Sequence, residues 1–175
     1  RLKKIEDNTS RLFMYILKEE NIKDLYTMLA ENHVVYGPEI NEETNQVVFN
    51  TIRKFDDLAF NAPIPYNPPK DKIFPQYESI FTYAYNKENK QAFFKEEFYE
   101  KRKVLFGIRP CDLMGLQCLD RFFMGQEFVD DVYLAHRKKT FIITNTCTTP
   151  FPQCFCVCTD SGPYAKEGYD INITK

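Results

Sequence analysis

Two apolar runs stand out along the chain, Val104–Ile108 (VLFGI) and Thr140–Asn145 (TFIITN). Each is short, rich in β-branched and aromatic residues and bounded by polar residues, so each predicts a strand buried on both faces. Between them, 112–124 repeats apolar residues at helical spacing. Pro110 and the first-turn carboxylate of Asp112 signal the start of that helix. A second helical piece is expected over 128–139, with Arg137, Lys138 and Lys139 in its last turn. Strand, helices, strand is the pattern of a βαβ crossover, which joins parallel neighbours in one sheet.

Upstream the pattern is more varied. Residues 9–32 read as helical, because Leu12, Phe13, Tyr15 and Ile16, then Leu25, Met28 and Leu29, recur at helical spacing. Asn21 offers a break into two helices. Val34–Tyr36 and Val47–Phe49 are β-prone runs separated by Gly-Pro and a polar turn, which predicts a hairpin. Residues 61–75 hold five of the ten prolines, so they are expected to lie extended over the surface, neither helix nor central strand. Glu78–Tyr85 fits strand or helix. Residues 90–102 alternate Phe and charge in a helix-compatible way through Phe94, Phe98 and Arg102. No internal repeat is present. The expected fold is α/β: a mixed sheet with flanking helices, in a single domain over 1–175.

Composition narrows the function classes. The 175 residues carry 23 basic against 25 acidic side chains with no dense basic stripe, which argues against nucleic acid as a partner. No run approaches the length of a membrane span, and no signal peptide is visible. Six cysteines are too sparse for a disulfide scaffold. A cytoplasmic setting is therefore expected, where clustered cysteines point to metal or redox chemistry. The chain opens on Arg1 without Met and reads as a fragment or a processed product.

Four of the six cysteines fall in two clauses, each directly after an apolar run. These are Arg109-Pro110-Cys111-Asp112 and the stretch from Cys147 through Cys154 to Cys156. If the two strands are parallel, their carboxyl ends share one sheet edge, where α/β proteins bind ligands. Cys111 and Cys147 would then meet there, with Cys154 and Cys156 arriving on the following loop. The helix N-terminus at Cys111 should lower its thiol pKa and favour a negatively charged cluster, with Arg109 adding positive charge. An extended Cys-x-Cys would point both sulfurs to one side. An iron–sulfur cluster is the first reading. Zinc held by the same four thiolates, or no metal at all, stays open, because the spacing matches neither paired zinc motifs nor bacterial ferredoxin runs.

Cys118, near Met114 and Phe122, is expected to be a buried small hydrophobe. Cys158 is a spare or substitute ligand. Asp112 needs no role beyond its first-turn position, with an oxygen ligand or cluster neighbour as the alternative. His33 and His136 are expected at the surface or in the core. A nucleophilic Cys111 with His136 as base would be a different class.

The string VLFGIRPCDLMGLQCLDRFF, then Asp131 to Arg137, then TNTCTTPFPQCFC and DSGP with GYDINIT, resembles the beta-subunit family of anaerobic redox complexes. These are the sulfhydrogenase beta subunit and the anaerobic sulfite reductase A subunit. VVYGP and NPPKDKIFPQYESIF are similar to that family's N-terminal region. The resemblance implies a non-catalytic iron–sulfur electron-transfer subunit with a 4Fe–4S cluster. It would work between a flavin- and NAD(P)H-binding partner and a catalytic subunit reducing sulfite, sulfur or protons. By position, Cys111, Cys147, Cys154 and Cys156 match the family's cysteine pattern, whereas Cys158 and Cys118 do not. The ferredoxin-type C-x₂-C-x₂-C-x₃-C-P runs of such subunits are absent from this sequence, so it is expected to be the front part of a longer subunit. The competing class is a zinc-holding or metal-free docking module of such a complex.

Overall fold

The computed structural model describes residues 3–5, 14–62, 64–96 and 101–175. Its centre is a five-stranded mixed sheet in the order β4-β3-β7-β8-β9. These strands are β3 (Val34–Ile40), β4 (Val47–Thr51), β7 (Lys103–Ile108), β8 (Thr140–Asn145) and β9 (Ile171–Ile173). β3 and β4 form the expected antiparallel hairpin, while β3, β7, β8 and β9 run parallel. Gly37 and Pro38 lie inside β3 and not in the connection. Pro38 is tolerated because β3 pairs with β7 only through Tyr36, so no N–H is demanded of it on that side.

β7 and β8 are buried almost end to end. Alternation splits their side chains between two cores. Leu105 and Ile142 face α2 (Pro110–Met124) and α3 (Asp131–Lys138), meeting Leu113, Leu116 and Tyr133. Val104, Phe106 and Ile143 face α1 (Ile22–Ala30), meeting Ile22, Tyr26 and Leu29. The two crossover helices are locked together: Arg137 Nε lies 3.0 Å from both Asp120 oxygens, and Tyr133 Oη donates to Asp120 at 2.8 Å. Asp130 caps α3 by accepting from the Tyr133 amide.

The α/β expectation with a βαβ crossover is met, and three elements differ. Helix was expected over 9–32. Residues 9–13 lie outside the described residues, Met14–Ile16 is a strand (β2) paired with β1 (Lys3–Ile5), and only α1 is α-helix. Residues 91–96 are strand β6, paired with β5 (Phe81–Asn86), where helix spacing was read. The tail after the cysteine loop adds β9 to the sheet. The proline-rich stretch is irregular apart from a 3-10 turn at Pro69–Lys72, and Ile73 beside it is fully buried in the core. Most of the stretch's described residues lie at the surface, as expected, while Pro69 and Ile73 anchor it to the core.

Candidate functional site

The parallel register of β7 and β8 brings their carboxyl ends together at one edge of the sheet. Gly107 adopts φ 77°, a conformation that costs glycine least, and the register slips between Phe106 and Ile108. This bulge bends the strand end just before Arg109 and Pro110. Pro110 opens α2, so Cys111 lies in the first turn of a 15-residue helix. On the neighbouring strand, Asn145 ends β8 and Cys147 follows two residues later.

Arg109 joins the two clauses. Its side chain is buried at 8% exposure, and Nη1 donates to Cys147 Sγ at 2.9 Å. Nη2 donates to the Ala62 carbonyl, and Asn145 Nδ2 donates to the Phe60 carbonyl at 3.0 Å. The start of the proline-rich region thus holds both strand ends in place, a supporting role that its composition did not signal. Beside Arg109 is an open cleft of about 190 Å³, lined also by Asn145, Thr146, Thr148 and Phe151.

The loop from 147 to 163 folds back onto this edge. The Cys147 amide donates to the Pro163 carbonyl at 2.9 Å. Gly162 packs against Cys156: a Cβ there would stand 3.1 Å from Cys156 Sγ and 3.9 Å from Pro110 Cβ. A side chain at 162 would require Cys156 to give by a few tenths of an ångström, and the close approach sets Cys156 near the start of α2. Cys154 Sγ accepts from the Phe151 amide at 3.3 Å. The backbone turns directly after the Cys-x-Cys pair, where the amides of Cys158 and Thr159 donate to the carbonyls of Phe155 and Cys156.

Electrostatics at Cys111 run opposite to the helix-dipole expectation. Its thiol pKa is pushed up to about 11, first by desolvation, then by the negative charges of Asp112 and Cys147. The amides of Asp112 and Cys111 pull it down, but by less. The residue's surface is open to solvent, yet the protein atoms around the sulfur still strip water from it. Asp112 is raised to about 6 by burial, with Arg109 opposing.

The donor chemistry suits a thiolate-held group. Two sulfurs accept N–H hydrogen bonds, from Arg109 and from the Phe151 amide, as metal-bound thiolates commonly do. The gathering of the four is partial. Cys111 and Cys147 are close enough to interact electrostatically, and Cys156 adjoins Pro110 through Gly162. Among the described residues, however, no group of three or more His, Cys, Asp or Glu stands close enough to hold a metal ion. All six cysteines are free.

Cys118 is exposed and not buried, with Arg121 Nη2 at 3.5 Å from its sulfur. The buried face of α2 carries Leu113 and Leu116, and position 118 rotates away from it. Cys158 is exposed as well. His136 is a core histidine at 3% exposure, hydrogen-bonded to Glu78 and Lys103 at the opposite end of the strands, so it is no base for Cys111. His33 Nδ1 contacts the Leu29 carbonyl at 3.0 Å.

Fold and site together define a mixed α/β domain that presents free thiols and a buried arginine at the carboxyl edge of two parallel strands. The Sulfhydrogenase 2 subunit beta of Pyrococcus furiosus is similar to this chain, 27% identical over 156 residues. The match covers 89% of this chain and 43% of that protein, so the chain spans less than half the length of this relative. No family model and no solved structure match. Among the described residues, no helix is long and apolar enough to cross a membrane.

Proposed function

We propose that this chain is the cluster-bearing front domain of an iron–sulfur electron-transfer subunit in a multi-subunit oxidoreductase. Cys111, Cys147, Cys154 and Cys156 would hold a 4Fe–4S cluster, which supplies one-electron transfer when bound. The observation that carries this reading is the Arg109 guanidinium donating to Cys147 Sγ while buried beside the α2 start. A fixed positive charge there lowers the energy of a thiolate and of any anionic group it ligates. Asp112, adjacent to Cys111 and facing Arg109, would modulate that charge or serve as an oxygen ligand. The domain would make and break no substrate bonds. Its partners would be a flavin- and NAD(P)H-binding subunit and a catalytic subunit, in the cytoplasm. The similarity to a sulfhydrogenase beta subunit supports this choice of class.

Anaerobic reconstitution tests it. The expected product has broad visible absorption that bleaches on reduction, with matching iron and sulfide. Colourless protein that takes up stoichiometric zinc would replace this reading with a docking module held by the same thiolates.

A further inference from the structure

The cleft of about 190 Å³ beside Arg109 has a chemistry of its own. Arg109 and Asn145, which follow or end β7 and β8, are its buried residues. Asn61 from the start of the proline-rich stretch, with Thr148, Thr149 and Phe151 from the loop after β8, line the rest. None of the four cysteines lines the cleft, and among the described residues no aspartate or glutamate does. Asp112 acts on Arg109 from outside it. Lys175, which also lines it, is paired with Glu19 at 2.8 Å, so Arg109 sets the sign of the charge there.

Arg109 is only partly used by the protein. Nη1 donates to Cys147 Sγ and Nη2 to the Ala62 carbonyl. The other three of a guanidinium's five N–H groups meet no acceptor among the described residues. Leaving donors of a buried cation unmatched is costly, and an acceptor that enters the cleft recovers that cost. The exposed side chains of Asn61, Thr148 and Thr149 add an amide and two hydroxyl donors at the same place.

We propose that this cleft binds a phosphate- or sulfate-like oxyanion, held by Arg109 together with Asn61, Thr148 and Thr149. The planar guanidinium fork matches the spacing of two such oxygens, and the hydroxyl and amide donors meet the others. Phe151 gives the cleft an apolar side, where a charge-assisted hydrogen bond is stronger than in open water. A metal cation would find no carboxylate there. The volume is below the roughly 300–1,000 Å³ of pockets for drug-sized ligands, so it suits a small ion or the oxyanion end of a larger molecule. The position, at the carboxyl ends of parallel strands, is where α/β sheets bind ligands. The site needs no cluster on the cysteines, and its test uses the metal-free chain, so its failure and that of the iron–sulfur reading are distinguishable.

Titration of the full, metal-free chain with inorganic phosphate tests this, under reductant and at constant ionic strength. Calorimetry should show one site with a Kd of about 1 mM or tighter. In nitrogen–proton NMR spectra the Arg109 Nε–H and the Thr148 and Thr149 amides should shift with the same midpoint. Sulfate should compete, and chloride should not. The Thr148→Val/Thr149→Val double variant should weaken binding by about 10-fold, the loss expected for hydrogen bonds to a charged group. Thr148→Glu should abolish it by placing a carboxylate at the site. Lys87→Gln, at the exposed hairpin tip, should leave it unchanged. Thermal melts check the folds, which should hold because Thr148 and Thr149 are exposed loop residues outside both cores. No saturation by about 10 mM phosphate overturns the proposal. So does binding that chloride matches, that shifts signals elsewhere, that Lys87→Gln weakens as much, or that survives Thr148→Glu.

Discussion

Where β7 and β8 begin, Lys103, Thr140 and His136 are all buried and answer one another. Lys103 Nζ reaches the Lys72 carbonyl and lies 3.2 Å from His136 Nδ1. His136 Nε2 meets Glu78 at 2.7 Å, and Thr140 Oγ1 donates to the His136 carbonyl at 2.8 Å. Where the same strands end, the buried arginine donates to the Cys147 thiol and the Ala62 carbonyl, and the cysteines of this end are free thiols. One end of the strand pair is a closed polar network; the other is built from soft, reactive donors with room beside them. The first is what stability requires of buried charge. The second is what a ligand-holding edge looks like in an α/β sheet.

Substitutions at the two ends should therefore separate stability from cofactor binding. The largest effect is expected from His136→Ala, which strands Lys103 and Glu78 without the group that bridges them. It should destabilise by about 3 kcal/mol, read by urea unfolding, and leave any cluster-loading behaviour of the folded fraction intact. A destabilisation below about 0.5 kcal/mol would show that the network contributes little.

The same network should give a pH dependence. Burial lowers the Lys103 pKa to about 8 from 10.5, with Glu78 opposing. Between those values the unfolded chain binds more protons than the folded one, so stability should rise with pH across that window. Below about 8 the penalty for the buried ammonium is fully present. Unfolding curves of wild type and Lys103→Met, compared from neutral to alkaline pH, should converge as pH rises. Parallel curves would rule Lys103 out as the source.

At the cysteine end, Cys154→Ser should change the stability of the metal-free protein by less than about 0.5 kcal/mol, because the residue is half-exposed on a loop. Arg109→Lys keeps the charge but loses the planar fork that spans Cys147 and Ala62. Its expected effect is a shifted reduction potential at unchanged iron content, read by potentiometric titration. Lost iron would make Arg109 a structural support.

Much of this contrast was legible in the sequence. The runs at 104–108 and 140–145 read as buried strands from their length and β-branched and aromatic content. Pro110, Asp112 and the basic turn at 137–139 mark the helices between them, so the edge carrying Cys111 and Cys147 followed from topology. The closed end was hidden because its members are remote: Glu78 is 58 positions from His136, and neither sits in a motif. The hairpin over 81–96 was misread as part helix because Phe94 and Phe98 share helical spacing, while Lys90 at φ 56° marks a turn that no glycine or asparagine at that position announced. β9 is three residues long and pairs through tertiary context alone. Cys118 was misplaced because its apolar neighbours Met114 and Phe122 lie on the helix's outer side, where Phe122 is 66% exposed.

The most direct measurement of the proposed function is iron and sulfide content after anaerobic reconstitution of wild type, Cys118→Ser and Cys154→Ser in parallel. Wild type and Cys118→Ser should each hold about four irons and matching sulfide per chain, and Cys154→Ser should hold little or lose it rapidly. Equal loading of all three, or none in wild type, would contradict a cluster held by Cys111, Cys147, Cys154 and Cys156.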